Sequence, residues 1–264
     1  MKPWLDLDWR LPRLRRDALA VWRRNFLVWQ RIIGPALVLN FGEPLIYLLG
    51  LGLGLGAFVG EVGGLPYLAF LASGIVASSA MVTVSYEGMY SVYTRMVPQK
   101  TYDALLATPL DIDDILAGEM LWCASKGVIS AAAILLVAAA LGVVGGFGAL
   151  WALPVVFLVG LAFAGPAMAM SAVAGNYDFF NYYFVLVVTP MFMLCGVFYP
   201  LDTLPAGVQS LAQWLPLTHA VALIRPLVLG LPSSDVLLHL GVLFAYALGF
   251  YLLAVALVRR RLIV

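Results

Sequence analysis

Charge is what this chain has least of. Asp, Glu, Lys and Arg make up 11% of its 264 residues, where a soluble domain has about a quarter. With 63% hydrophobic residues and a mean hydropathy of +0.99, the chain cannot cover a water-facing surface. It reads as an all-α integral membrane protein. Cysteine is scarce as well. Cys123 and Cys195 both fall in apolar runs and read as small buried side chains, not as a disulfide or a metal site. His219 and His239 stand alone in the sequence and suggest no catalytic pair. There is no GxxxxGK followed by Ser or Thr, so no ATP site is expected on this chain, and neither HExxH nor GxSxG occurs. A membrane enzyme acting on phosphates or lipids needs clustered acids or histidines. Asp111, Asp113 and Asp114 come nearest to such a cluster, and helix capping explains them more simply. No cofactor on this chain and no nucleic-acid partner are expected.

The few charges are unevenly placed. Eight of the fifteen basic residues precede residue 32, and three more are Arg259, Arg260 and Arg261. Arg95 and Lys100 share one central loop, which leaves Lys126 and Arg225. Segment 1–31 is charged and Trp-rich, unlike a cleavable signal with its short basic region and apolar core. Residues 13–31 have a helical period. Leu14, Ala18, Val21, Trp22, Phe26 and Trp29 share one face, and Arg13, Arg16, Arg24 and Arg31 the other, with Arg15 an exception. A basic helix with an aromatic face lies in the membrane interface, where it also sets topology. The chain thus divides into an interfacial helix, 1–31, and a membrane domain, 32–264.

Six apolar stretches follow, near residues 32–55, 66–90, 115–144, 150–174, 182–197 and 236–258. The fifth is short; the others suit a hydrocarbon core of ~30 Å. Basic residues favour the cytosolic side. That rule places both termini and loop 95–119 in the cytosol and the Lys- and Arg-free loop 56–65 outside, and six crossings agree with it. Two stretches are irregular. Residues 48–64 carry LGLGLGLGAFVGEVGG, where glycines spaced by four (Gly52, Gly56, Gly60, Gly64) permit close helix approach or, later in the run, a flexible exit. Residues 198–230 are too apolar for a free loop and too rich in proline for a straight span. They read as two short helices that re-enter the outer leaflet. Glu43, Glu87 and Lys126 fall inside spans, where charge is costly, so a Lys126 pair with Glu43 or Glu87 is expected. Such a pair either fixes helix register or marks a transport path.

The organising stretch is loop 95–119, RMVPQKTYDALLATPLDIDDILAGE. Tyr102, Leu105, Leu106 and Pro109 fall on one helical face. Pro98 can open that helix, and Thr108 before Pro109 should close it. Asp111 then caps the next helix, with Asp113 and Asp114 in its first turn. So short a helix must dock, either on its own chain or on a soluble partner.

Several strings carry a family resemblance: PLIYLLGLGLGLG, YLAFLASGIVASSAM, YDALLATPLDIDDILAGEMLW, CGVFYPLDTLP and LPLTHAVALIRPLVLG. Together they resemble the permease subunit of an ABC-2 type exporter, in the branch of nodulation-factor, or lipo-oligosaccharide, export permeases. The set Gly196, Pro200, Pro205, Pro216 and Arg225 belongs to this pattern, whereas Ala222 stands where related permeases often carry an acid that could face Arg225. The resemblance implies a bacterial inner-membrane protein that pairs with a second copy of itself and with two copies of an ATPase carrying ATP and Mg. It implies a coupling helix from Pro98, Lys100, Tyr102, Asp103, Leu105, Leu106, Thr108 and Pro109, seated on that ATPase. It also implies an amphiphilic saccharide entering from the inner leaflet beside the first and fifth spans, with membrane lipids as neighbours. A drug or small hydrophobic compound is the alternative cargo, and a lipid-modifying enzyme is the alternative class.

Overall fold

The computed structural model describes residues 8–13, 15–34, 42 and 45–262. Four helices among the described residues are long and apolar enough to cross a membrane: α3 (Tyr67–Met96), α5 (Ile112–Ala140), α6 (Phe147–Val173) and α10 (Val236–Leu262). At 1.5 Å per residue each exceeds the ~30 Å hydrocarbon core, so their ends reach the polar boundary. They correspond to the second, third, fourth and sixth expected spans. The first and fifth correspond to shorter apolar helices, α2 (Tyr47–Val59) and α7 (Phe179–Leu194). Glu43, Pro44 and most of the first span upstream of α2 lie outside the described residues, as does Leu14. The basic N-terminal helix is α1 (Ala18–Gln30), and α4 (Thr101–Leu106) sits in the central loop. Residues 198–230 form α8 (Ala206–Ala212) and α9 (Pro216–Leu229), the two short helices that their proline-broken sequence suggests.

The centre of the bundle is α3. It packs against α2, α5, α6 and α9, while α6 packs on α10 and α1 on α5. Small residues set these distances, since apolar lipid offers helices no hydrophobic reason to associate. A Cβ added to Gly160 would stand 2.7 Å from Ala124 Cα, and one on Gly165 would stand 2.7 Å from the Phe250 carbonyl carbon. The four-residue glycine spacing splits into two uses. Gly52 lets α2 lie on Leu68 of α3. Past α2 the chain instead turns into a two-stranded hairpin, β1 (Glu61–Val62) and β2 (Leu65–Pro66). Its turn residues, Gly63 and Gly64, have φ of 60° and 75°, the left-handed pair that a two-residue hairpin loop requires.

Among the described residues three helices contain π-helical turns, at Tyr47–Leu55, Glu87–Ser91 and Phe184–Val188. Each bulge re-aims side chains that a regular helix would place elsewhere. Three prolines of residues 198–230 stand at helix starts, where a missing N–H leaves nothing unpaired, while Pro226 lies inside α9. Pro200 precedes a 3-10 turn, Pro205 precedes α8 and Pro216 opens α9. Gly196, with φ of 77°, turns the chain out of α7.

Candidate functional site

Loop 95–119 is held at both ends by its own charges. Arg95 at the end of α3 donates to Glu119 of α5 through Nε (2.9 Å) and Nη2 (2.6 Å). Between them, α4 begins at Thr101, after Lys100 in the left-handed region (φ 49°). The helix therefore starts later than Pro98 suggests. Thr108 Oγ1 donates to the Leu105 carbonyl at 2.6 Å and stops it before Pro109. The Asp111 amide donates to Asp114 Oδ2 at 3.1 Å, half of a reciprocal capping box that opens α5.

The apolar face of α4 is turned into the chain. Tyr102 is fully buried, and Leu105 and Leu106 are half-buried against the same core. Pro98, Lys100, Asp103, Ala104, Ala107, Thr108 and Pro109 are exposed. Of the face expected to dock, the chain itself covers Tyr102, while Leu105 and Leu106 keep part of their surface. The ends of α3 and α5 offer them a surface to bury on, so the outward face is the opposite one. Burial, then the Glu119 carboxylate, pushes the Tyr102 phenol well above its ordinary range. Its hydroxyl has no hydrogen-bond partner among the described residues.

A buried charge network continues from the loop into the bundle. Glu87, placed by the π turn of α3, accepts from Lys126 Nζ at 2.8 Å, Arg95 Nη2 at 3.1 Å, Trp122 Nε1 at 3.0 Å and Ser91 Oγ at 2.9 Å. The expected Lys126 pair is thus made with Glu87, while Glu43 lies outside the described residues. Asn25 of α1 donates to Glu119 at 2.9 Å and accepts from Arg24 Nη1 at 2.9 Å. Burial, then the Arg95 charge, lowers the pKa of Arg24. Two carboxylates and two cations therefore tie α1, α3 and α5 together. Pattern reading missed Arg95 and Glu119 as partners, although opposite charges at the two ends of one loop were the available signal.

Asp113 does more than cap. It takes the Arg259 guanidinium of α10 at 2.6 and 2.7 Å and the Arg13 amide at 2.9 Å, while Arg259 Nη1 donates to the Arg10 carbonyl at 2.7 Å. The basic tail thus clasps the segment before α1. Arg261 donates to the Ser171, Ala172 and Ala174 carbonyls at the end of α6. His219 and His239, solitary in the sequence, meet at 2.8 Å between their Nδ1 atoms. On α9, Arg225 is bound without an acid among the described residues: Nη2 donates to the Gly196 carbonyl at 2.7 Å, Nε to Ser73 Oγ at 3.1 Å, and the guanidinium lies 3.7 Å from the Phe70 ring centroid. A carbonyl, a hydroxyl and a ring face do the work of the acid that Ala222 lacks.

Two cavities open beside this network. A cleft of about 530 Å³ between α1, α3 and α5 is lined by Arg24, Trp29, Arg95, Gln99, Lys126 and Tyr177, among others. A second, of about 280 Å³, lies between α2, α3 and α7, with Tyr47, Ser78, Ser79, Phe184 and Phe192 in its walls. Tyr90 lines both.

Membrane-length helices enclosing cavities, with a short surface helix pinned to two of them, define a helical membrane transport domain. Residues 14–229 match the ABC-2 type transporter family, and the chain belongs to that family as a transport subunit rather than an enzyme. It is 47% identical over 253 residues to nodulation protein J of Rhizobium leguminosarum bv. trifolii, covering 96% of this chain and 97% of that one. Nodulation protein J of Rhizobium meliloti is 45% identical over 252 residues, covering 96% of each chain. The Escherichia coli inner membrane transport permease YadH is 25% identical over 243 residues, covering 91% of this chain and 94% of that one.

Proposed function

We propose that this chain is the permease of an ATP-driven exporter that moves an acylated saccharide out of the cytoplasm or inner leaflet. Two copies assemble with two copies of a separate ATPase that carries the ATP and Mg. All six apolar helices, α2 and α7 included, cross a bacterial inner membrane, with both termini and α4 cytosolic and with α8 and α9 re-entering the outer leaflet. The observation that carries the reading is the closed loop: the Arg95–Glu119 pair ties α3 to α5 where the chain leaves for α4 and returns, Tyr102 seats α4 on the core, and the face bearing Asp103 and Ala104 stays exposed. A push on that face from an ATPase is delivered to two spans at once. The likeness to relatives named nodulation protein J supports an acylated saccharide as cargo. The cavity beside α2 and α7 suits the expected entry from the inner leaflet.

The test is copurification and export. Ala104→Arg with Ala107→Arg places bulk on the exposed face of α4 and leaves the buried face alone. ATPase capture and export should both fall sharply, while membrane insertion and a monodisperse permease persist. Normal capture with normal export would remove α4 from the coupling surface.

A further inference from the structure

The two cavities differ in chemistry and are joined by rings. Tyr177 stacks on Tyr90 (centroids 6.1 Å apart, planes 9° from parallel), Tyr90 on Tyr86 (5.6 Å, 28°), and Tyr86 lies 4.2 Å from Phe184. Tyr177 and Tyr90 wall the charged cleft, and Tyr90, Tyr86 and Phe184 wall the pocket between α2, α3 and α7. The rings are not sealed in the core: Tyr177 is 41% and Tyr86 46% exposed. Buried aromatics are ordinary packing. A row of half-open ones, running from a charged cleft to an uncharged pocket whose walls include Ile75, Val82, Val188 and Met193, has surface left to offer a ligand.

We infer that this row is a saccharide track. The cleft receives the oligosaccharide head of the cargo, and the pocket between α2, α3 and α7 receives its acyl chain. The inference rests on the acylated-saccharide reading above. A pyranose ring has an apolar C–H face and a rim of hydroxyls. It stacks on an aromatic ring while its hydroxyls take directed hydrogen bonds. The cleft supplies both requirements, with Tyr177, Tyr90 and Trp29 as surfaces and Arg24, Gln99 and Lys126 as polar groups at the edges. Among the described residues Lys126 has one hydrogen bond, to Glu87, which leaves donors for a ligand. A sugar-free amphiphile would use the pocket and leave the cleft unfilled. An acylated saccharide fills both, and the ladder lets its head pass from one ring to the next without a large barrier.

The experiment uses the full permease–ATPase complex in detergent and two fluorescent probes with the same acyl chain, an N-acylated tetrasaccharide and an acyl phosphocholine. Tyr177→Leu should weaken the tetrasaccharide probe roughly tenfold, the most that one lost aromatic contact costs, and should leave the phosphocholine probe unchanged. Tyr177→Phe should restore binding, since it keeps the ring and loses only the hydroxyl shared with Thr94. Tyr90→Leu is the second variant. Equal weakening of both probes would make the rings mere packing, and unchanged tetrasaccharide binding would remove them from the site; either result overturns the track alone. A wild-type complex that binds the phosphocholine as well as the tetrasaccharide overturns the cargo reading and the track with it.

Discussion

Replacing Glu87 with Gln isolates the buried charge network. Glu87 is 6% exposed and accepts four hydrogen bonds, two of them from cations. The amide of Gln keeps one acceptor oxygen and turns an NH2 group toward Lys126 or Arg95. Arg95 still has Glu119, but Lys126, with its side chain 14% exposed, loses the carboxylate it pairs with. Breaking a buried pair from one side costs about 3–5 kcal/mol. Total stabilities are about 5–15 kcal/mol, so the loss is large. Lys126→Met should cost less, because Arg95, Trp122 and Ser91 continue to hold Glu87. The double variant should recover most of the Glu87→Gln loss, since the stranded cation is gone. The assay is the thermal midpoint of purified protein in detergent for the wild type, both singles and the double. Additive losses in the double, or a larger loss for Lys126→Met than for Glu87→Gln, would refute the pairing argument.

Tyr102→Phe removes a buried hydroxyl that lacks a partner among the described residues, so it should leave the thermal midpoint unchanged or raise it by an amount worth about 1 kcal/mol. Gly165→Ala drives a methyl against the backbone of Phe250 and Tyr251, and should destabilise the α6–α10 contact by about 1–3 kcal/mol in the same assay. Asp113→Asn leaves Arg259 the longer, exposed pair with Asp8 and loosens the segment before α1; limited trypsin digestion should then cut within residues 10–16 faster while the bundle stays intact. In intact cells, an impermeant thiol reagent should label Glu61→Cys and spare Lys100→Cys, since native Cys123 and Cys195 are buried; the reverse pattern would invert the proposed topology.

What could be read in the chain depended on the range of the physics involved. Length and hydropathy act locally, so α3, α5, α6 and α10 fall where the apolar runs predict them. Proline acts on its neighbours, so Pro205 and Pro216 mark the starts of α8 and α9. The capping of α5 by Asp111 is local too. Periodicity finds an apolar face but cannot say what covers it. The Tyr102, Leu105 and Leu106 stripe is real, and the chain's own helices cover it. Contacts over long separations were harder still. Nothing near Asp113 announces Arg259, 146 positions away, and nothing near His219 announces His239. The π turn that aims Glu87 also has no plain sequence signature.

The inward face of α4 changes what a coupling helix here must be. Had its leucines been free, a partner could have gripped the helix by hydrophobic contact, and the loop could have moved by itself. With Tyr102 buried and Arg95 bonded to Glu119, the helix has little freedom apart from α3 and α5. Displacing it would expose Tyr102, and the two spans on which it rests are joined to each other by a pair whose carboxylate is fully buried. The same carboxylate is bonded to Asn25 of α1, and Arg95 also reaches Glu87, which holds Lys126. A force on the exposed face of α4 therefore passes to α3 and α5 through the packing of Tyr102, and the ion pairs between those spans carry it to the wall of the charged cleft. In the proposed exporter, the place where the ATPase pushes and the place where cargo is received are parts of one rigid unit.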